Sequence, residues 1–154
     1  MTIKERIVAD LTAAMKAKDS ARLSVVRMLK AKMLEAEVAL RGKRGLAYQL
    51  EDPEALAVIQ AYAKQRRDSI DAYRNGGRID LAAKEEAELV LIQTYLPRQL
   101  TPDEVREVVR EAIATVGATS AKEMGAVMKL VAPRVKGLAD GKLVNEMVRE
   151  LLAL

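Results

Sequence analysis

Apolar residues recur at three- and four-residue intervals along almost the whole chain, and no strand-length segment alternates with a period of two. That regularity predicts an all-α fold, read as four helices, a short linker and three more helices. Thr2 and Glu5 form a capping box, after which Ile3, Ile7, Leu11 and Ala14 share one face. Asp19 is the expected cap of a long second helix whose stripe, Val26, Leu29, Met33, Ala36 and Leu40, ends at Gly42. A loop is expected over 42–52. Asp52-Pro53 then opens a third helix, lined by Leu56, Ile59, Ala63, Ile70 and Tyr73 and stopped at Asn75-Gly76-Gly77. Asp80 is expected to cap a fourth helix that reaches Leu96, where Pro97 closes it.

The segment Leu96-Pro97-Arg98-Gln99-Leu100 marks the boundary between an N-terminal four-helix domain, 1–96, and a small three-helix domain, 97–154. Thr101-Pro102-Asp103-Glu104 joins a capping box to a proline in the first turn, and Val105, Val108, Val109, Ala112, Ile113 and Val116 follow as one stripe ending at Gly117. Ser120 and Glu123 form a third capping box, ahead of Met124, Val127, Met128 and Val131. Pro133 is expected to help end that helix. Asp140 is placed to cap the last one, with Leu143, Val144, Met147, Val148, Leu151 and Leu152 behind it. Gly125 falls inside a helix, where glycine costs about 1 kcal/mol relative to alanine; close approach of a neighbouring helix is the first expected reason, and direct contact with a ligand backbone the second. All four tyrosines precede Pro97, which also suggests two separate cores.

Composition removes whole classes of chemistry. The 154 residues include no Cys and no His, so disulfides, thiol nucleophiles, Cys/His zinc sites and Ser-His-Asp triads are impossible within this chain. Glu85, Glu86 and Glu88 bring carboxylates together on one helix but read as solvated surface, and no catalytic or metal-binding residue is assigned. The isolated glycines form neither a phosphate-binding loop nor a dinucleotide fingerprint, so no cofactor is expected. The N-terminus has no signal-peptide apolar core, and no apolar run approaches the ~20 residues of a membrane span. A cytoplasmic location without membrane association is the resulting expectation.

The net charge of +4 is unevenly spread. Between residues 16 and 44 nine basic residues face three acidic ones, and residues 122–142 carry Lys122, Lys129, Arg134, Lys136 and Lys142 against Glu123 and Asp140. Basic clusters on a nearly neutral chain can engage a phosphate backbone, although charge runs more often keep a helix face solvated. The C-terminal cluster is the stronger candidate because it flanks a glycine-bearing loop. Asp140 competes for the helix end there, so contact is expected through the side chains instead. A secondary basic patch comprises Arg22, Arg27, Lys30, Arg66 and Arg67. Around the last two, Lys64, Asp68, Asp71 and Arg74 have the spacing of a helical ion-pair network. With no aromatic residue near the C-terminal cluster, RNA would be recognised by shape and phosphate and not by stacking on bases.

Met124-Gly125, Val127-Met128-Lys129, Lys136-Gly137, Ala139-Asp140, Val144 and Asn145 resemble the C-terminal tail domain shared by the GatB subunit of glutamine-dependent tRNA amidotransferase and the YqeY family. The front of the chain resembles the YqeY family specifically. There the matching segments are Arg22-Leu23-Ser24-Val25-Val26-Arg27-Met28-Leu29, Lys64 to Ser69, Gly77-Arg78-Ile79-Asp80-Leu81 and Tyr95 to Leu100. The resemblance implies a structural motif at Gly125, Gly137, Asp140 and Asn145. It also implies a non-catalytic, tRNA-associated accessory role, because the amidotransferase tail helps hold tRNA while the chemistry lies in other domains. tRNA and an amidotransferase or other translation-related protein are the implied partners, and DNA is not expected. Two alternatives accompany that reading: a protein-interaction module without RNA, and a contribution to carbon–nitrogen ligation with glutamine as amido donor only together with amidotransferase subunits.

Overall fold

A computed structural model describes residues 1–153, and all its regular structure is helical, as the periodicity predicts. The helices are α1 (Ile3–Ala17), α2 (Ser20–Arg44), α3 (Asp52–Asn75), α4 (Ile79–Gln93), α5 (Pro102–Val116), α6 (Met124–Val135) and α7 (Gly141–Leu152), with a 3-10 turn at Ala121–Glu123 before α6. The chain divides into two compact units, one of residues Met1–Leu96 and one beginning at Pro97.

In the first unit α1 pairs with α2 and α3 with α4. Ile7, Val25, Val26, Leu29, Met33, Ala55, Ile59, Ala63 and Ile92 bury their side chains between them, joined by Leu50 from the α2–α3 loop and by Tyr62 and Tyr95. Each fully buried Ile, Leu, Val or Met side chain among these contributes about 1.5–3 kcal/mol. Buried among them is one charged residue, Glu37. Its carboxylate accepts from Lys4 Nζ at 2.5 Å, from the Leu50 backbone N–H at 2.8 Å and from Arg41 at 3.1 Å. The second unit has its own core. Val105, Val109 and Ala112 from α5, Val127, Val131 and Val135 from α6, and Val144, Met147, Val148 and Leu152 from α7 compose it. Valine is stiff at χ1 and loses little freedom on burial, which suits three helices of only 12 to 15 residues.

Several helix ends depart from the sequence expectation. The capping boxes at Thr2–Glu5 and Thr101–Glu104 form as read, and the box at Ser120–Glu123 forms on the 3-10 turn. α2 runs past Gly42 to Arg44, because Gly42 stays helical and the chain turns out only at Gly45, whose φ is 98°. α3, by contrast, opens at Asp52-Pro53 as read, with Glu51 in the cap position, and Asp52 accepts from the Ile3 backbone N–H at 2.9 Å. Arg78 occupies the cap position of α4, leaving Asp80 in the first turn, where a carboxylate still complements the helix dipole. α4 ends at Gln93, and residues 94–96 tighten into short-range turns. Pro133 does not end α6. The helix continues to Val135, whose burial four residues after Val131 holds the last turn in place despite the missing N–H.

Candidate functional site

Most of the groups expected to bind lie around α6, the 136–140 loop and α7. Val127, Val131 and Val135 face the core, which leaves Met128 and Ala132 on the neighbouring face of α6. After Val135 the chain reverses through Gly137, whose φ of 75° favours glycine. Leu138 N–H returns to Val135 O at 2.8 Å, Gln99 Nε2 donates to Gly137 O at 3.1 Å, and Leu100 N–H donates to Leu138 O at 2.7 Å. The loop is thereby tied to the segment that opens the unit. Asp140 accepts from the Lys142 backbone N–H at 3.4 Å and so occupies the N-terminal end of α7.

Between these elements lies an open groove of about 620 Å³. Met128, Ala132, Val135, Ala139 and Val144 make it apolar, while Lys129, Lys136 and Asn145 bring polar groups to it. Both lysines are exposed, and neither has an acidic partner among the described residues. The predicted basic set is therefore only partly gathered. Lys129 and Lys136 line the groove; Lys122 sits on the preceding 3-10 turn, and Lys142 follows Gly141 without lining it. Arg134 is committed elsewhere, donating to Glu111 of α5 at 2.7 Å. Gly125 is exposed, and a Cβ placed on it would meet nothing within 4 Å, so close helix approach is not its reason.

The secondary patch divides as well. Arg22 pairs with Asp19 at 3.5 Å, while Arg27 and Lys30 are exposed on α2. Arg66 is drawn between α3 and α4, where it meets Glu85, Glu88 at 2.8 Å and the Tyr62 hydroxyl. Burial opposes its charge, but the hydrogen bonds to Tyr62 and Glu85 outweigh that and raise its pKa. Arg67 is half-buried beside it on α3. Glu85 and Glu88 are consequently not solvated surface, as the sequence suggested, but half-buried partners of Arg66; Glu86 pairs with Arg74. The expected i,i+4 pair Lys64–Asp68 forms at 3.2 Å.

Tyrosine follows the same logic. Arg6 lies over the Tyr95 ring, Arg44 over Tyr48 and Arg66 over Tyr62, at 4.6, 5.0 and 4.9 Å. Tyr95 also donates to Asp10 and Tyr48 to Glu54. Burial, with Asp10 second, pushes the Tyr95 hydroxyl pKa up, and the hydrogen bond to Glu54 does the same for Tyr48. Sequence reading missed the Tyr95 and Tyr48 sets because each joins residues from different elements, whereas Tyr62 and Arg66 lie four residues apart on α3, a spacing that the sequence did display. It missed the groove too, though α6 carried a signal: Met128 and Ala132 give it more apolar surface than one core stripe needs.

The geometry defines an all-helical protein of two units, with an apolar groove edged by free lysines in the second. The family model described as Yqey-like protein matches residues 4–152, and the chain belongs to the YqeY family. Among its relatives is the "Altered inheritance of mitochondria protein 41, mitochondrial" of Pyrenophora tritici-repentis, 29% identical over 150 residues, which cover 96% of this chain and 79% of the relative. Proteins of the same name from Eremothecium gossypii and Saccharomyces cerevisiae are 37% and 34% identical over 87 residues, 56% of this chain in each case. Those matches span 45% and 44% of the relatives' own lengths.

That shared name overturns the expectation of a cytoplasmic location, since these relatives are named as mitochondrial proteins. The expectation rested on the lack of a secretory apolar core, and mitochondrial addresses are Arg-rich amphipathic segments that such a test does not see. Among the described residues no helix is long and apolar enough to cross a membrane.

Proposed function

We propose that this chain is a non-catalytic, tRNA-associated accessory protein that holds RNA backbone along the α6–α7 groove. The observation that carries the reading is the pair Lys129 and Lys136, exposed at the groove and without acidic partners among the described residues. Free ammonium groups release counterions from a phosphate backbone without first breaking a protein ion pair. Arg134 would have to leave Glu111 to contribute, so its share is smaller. With Asp140 at the end of α7, phosphate contact runs through side chains. The resemblance to the amidotransferase tail supplies tRNA as the RNA class.

A salt titration of tRNA binding to the full chain tests this. Affinity should fall steeply as salt rises, and Lys129→Glu with Lys136→Glu should flatten the logarithmic slope by about 1.4–1.8, at roughly 0.7–0.9 per phosphate contact. Arg134→Ala should change it less. Absence of tRNA binding at low salt, or an unchanged slope in the double variant, refutes the reading. The apolar floor formed by Met128, Ala132, Ala139 and Val144 favours a second reading, in which the groove takes a partner helix. Binding of that kind would be largely insensitive to salt. Carbon–nitrogen ligation is attributed to amidotransferase subunits acting with this chain, and amidation of Glu-tRNA by the purified chain alone would overturn the accessory role.

A further inference from the structure

The outward face of α2 presents a second binding surface, independent of the C-terminal groove. Met28, Leu34 and Val38 are 43%, 54% and 53% exposed there, and Ala31 and Gly42 are also exposed. At about 100° per residue these five positions fall on one side of the helix, opposite Val26, Leu29, Met33 and Leu40. α2 is thus apolar on two faces while only one is used for its own core. The outer stripe covers about four turns, or roughly 20 Å. Ala31 and Gly42 keep it low enough for another helix to lie close.

Charge specifies the occupant. Arg27 is exposed at the N-terminal end of this stripe and Lys30 and Lys43 on its two sides, and none of the three has an acidic partner among the described residues. Glu35, the one acid on the stripe, is engaged by Lys32 at 3.6 Å. A second copy of the chain would oppose these cations with like charges, and like-charge contact across an interface costs affinity. An acidic partner gains instead.

We propose that the outer face of α2 docks an amphipathic helix of another protein, one whose apolar stripe is flanked by Asp and Glu. The partner's apolar residues, at three- and four-residue spacing, seat against Met28, Ala31, Leu34 and Val38, and its carboxylates meet Arg27, Lys30 and Lys43.

The probe is a fluorescent synthetic helix with leucines at heptad core positions and glutamates elsewhere, titrated against the full chain by anisotropy. The same helix with lysine for glutamate is the control. Expected are saturable binding of the acidic helix, no binding of the lysine helix, and at least about tenfold weaker binding by Leu34→Glu and by Val38→Glu. Both substitutions are exposed, and unchanged circular dichroism would show that the variants fold. Lys129→Glu with Lys136→Glu should leave this binding intact, which separates it from the groove. The proposal is overturned if the acidic helix does not bind or if Leu34→Glu binds it equally. Displacement of the helix by tRNA, or sedimentation showing a dimer abolished by Val38→Glu, would overturn it in favour of RNA or a second copy.

Discussion

Glu37 shows how much a single buried group can decide. Its carboxylate joins Lys4 at the start of α1, Arg41 one turn further along α2 and the backbone of Leu50 in the α2–α3 loop. The Lys4 hydrogen bond, then that of Leu50, holds the Glu37 pKa below the usual carboxylate range, against the effect of burial. A pKa lowered on folding stabilises the fold above the unfolded value, about 4.3, and that contribution disappears as pH falls through the lowered value. Glu37→Gln should therefore lose about 1–3 kcal/mol at neutral pH, with Lys4 and Arg41 partly exposed and able to rehydrate. In urea unfolding, the gap between the variant and the parent should narrow at about pH 3. An equal gap at both pH values would mean the charge is not what matters. In the sequence Glu37 was visible only as one acid in a basic stretch, because Leu50 and Lys4 are brought to it by folding alone.

Helices were legible where local chemistry decides them. Thr2, Thr101 and Ser120 each announce a start through a capping box, and Gly117 announces an end with its φ of 71°. Boundaries set by tertiary contacts were not. Gly42 looks like a terminator yet remains inside α2, and Pro133 looks like one yet lies two residues before the end of α6. At this scale Gly125 is testable. It lies in the first turn of α6 with open space where a side chain would project. Gly125→Ala should stabilise the second unit by up to about 1 kcal/mol. In a unit this small that amounts to a rise of up to about 4–8 °C in Tm, measurable by circular dichroism. A fall in Tm would reveal a backbone demand that the open space does not show.

The whole molecule carries two cores with no residue in common, one before Pro97 and one after it. Their apolar stripes could be read from periodicity, residue by residue. The groove could not, because it depends on how the loop at Gly137 sets Lys136 and Ala139 against α6 and α7. Val131→Ala should therefore weaken the second unit by about 1–3 kcal/mol through the cavity it leaves, while the first unit keeps its stability. The placement of the tyrosines supplies the means to see this. With no Trp and no Phe, and with Tyr48, Tyr62, Tyr73 and Tyr95 all before Pro97, the second unit is nearly dark in the near ultraviolet. Tyrosine emission should follow the first unit alone, whereas the amide signal at 222 nm follows both. Val131→Ala should shift part of the amide melt and leave the tyrosine melt in place; a shift in both would show that the units unfold together. The chain thus carries an intrinsic optical label on one half only, so each unit can be followed without attaching a dye.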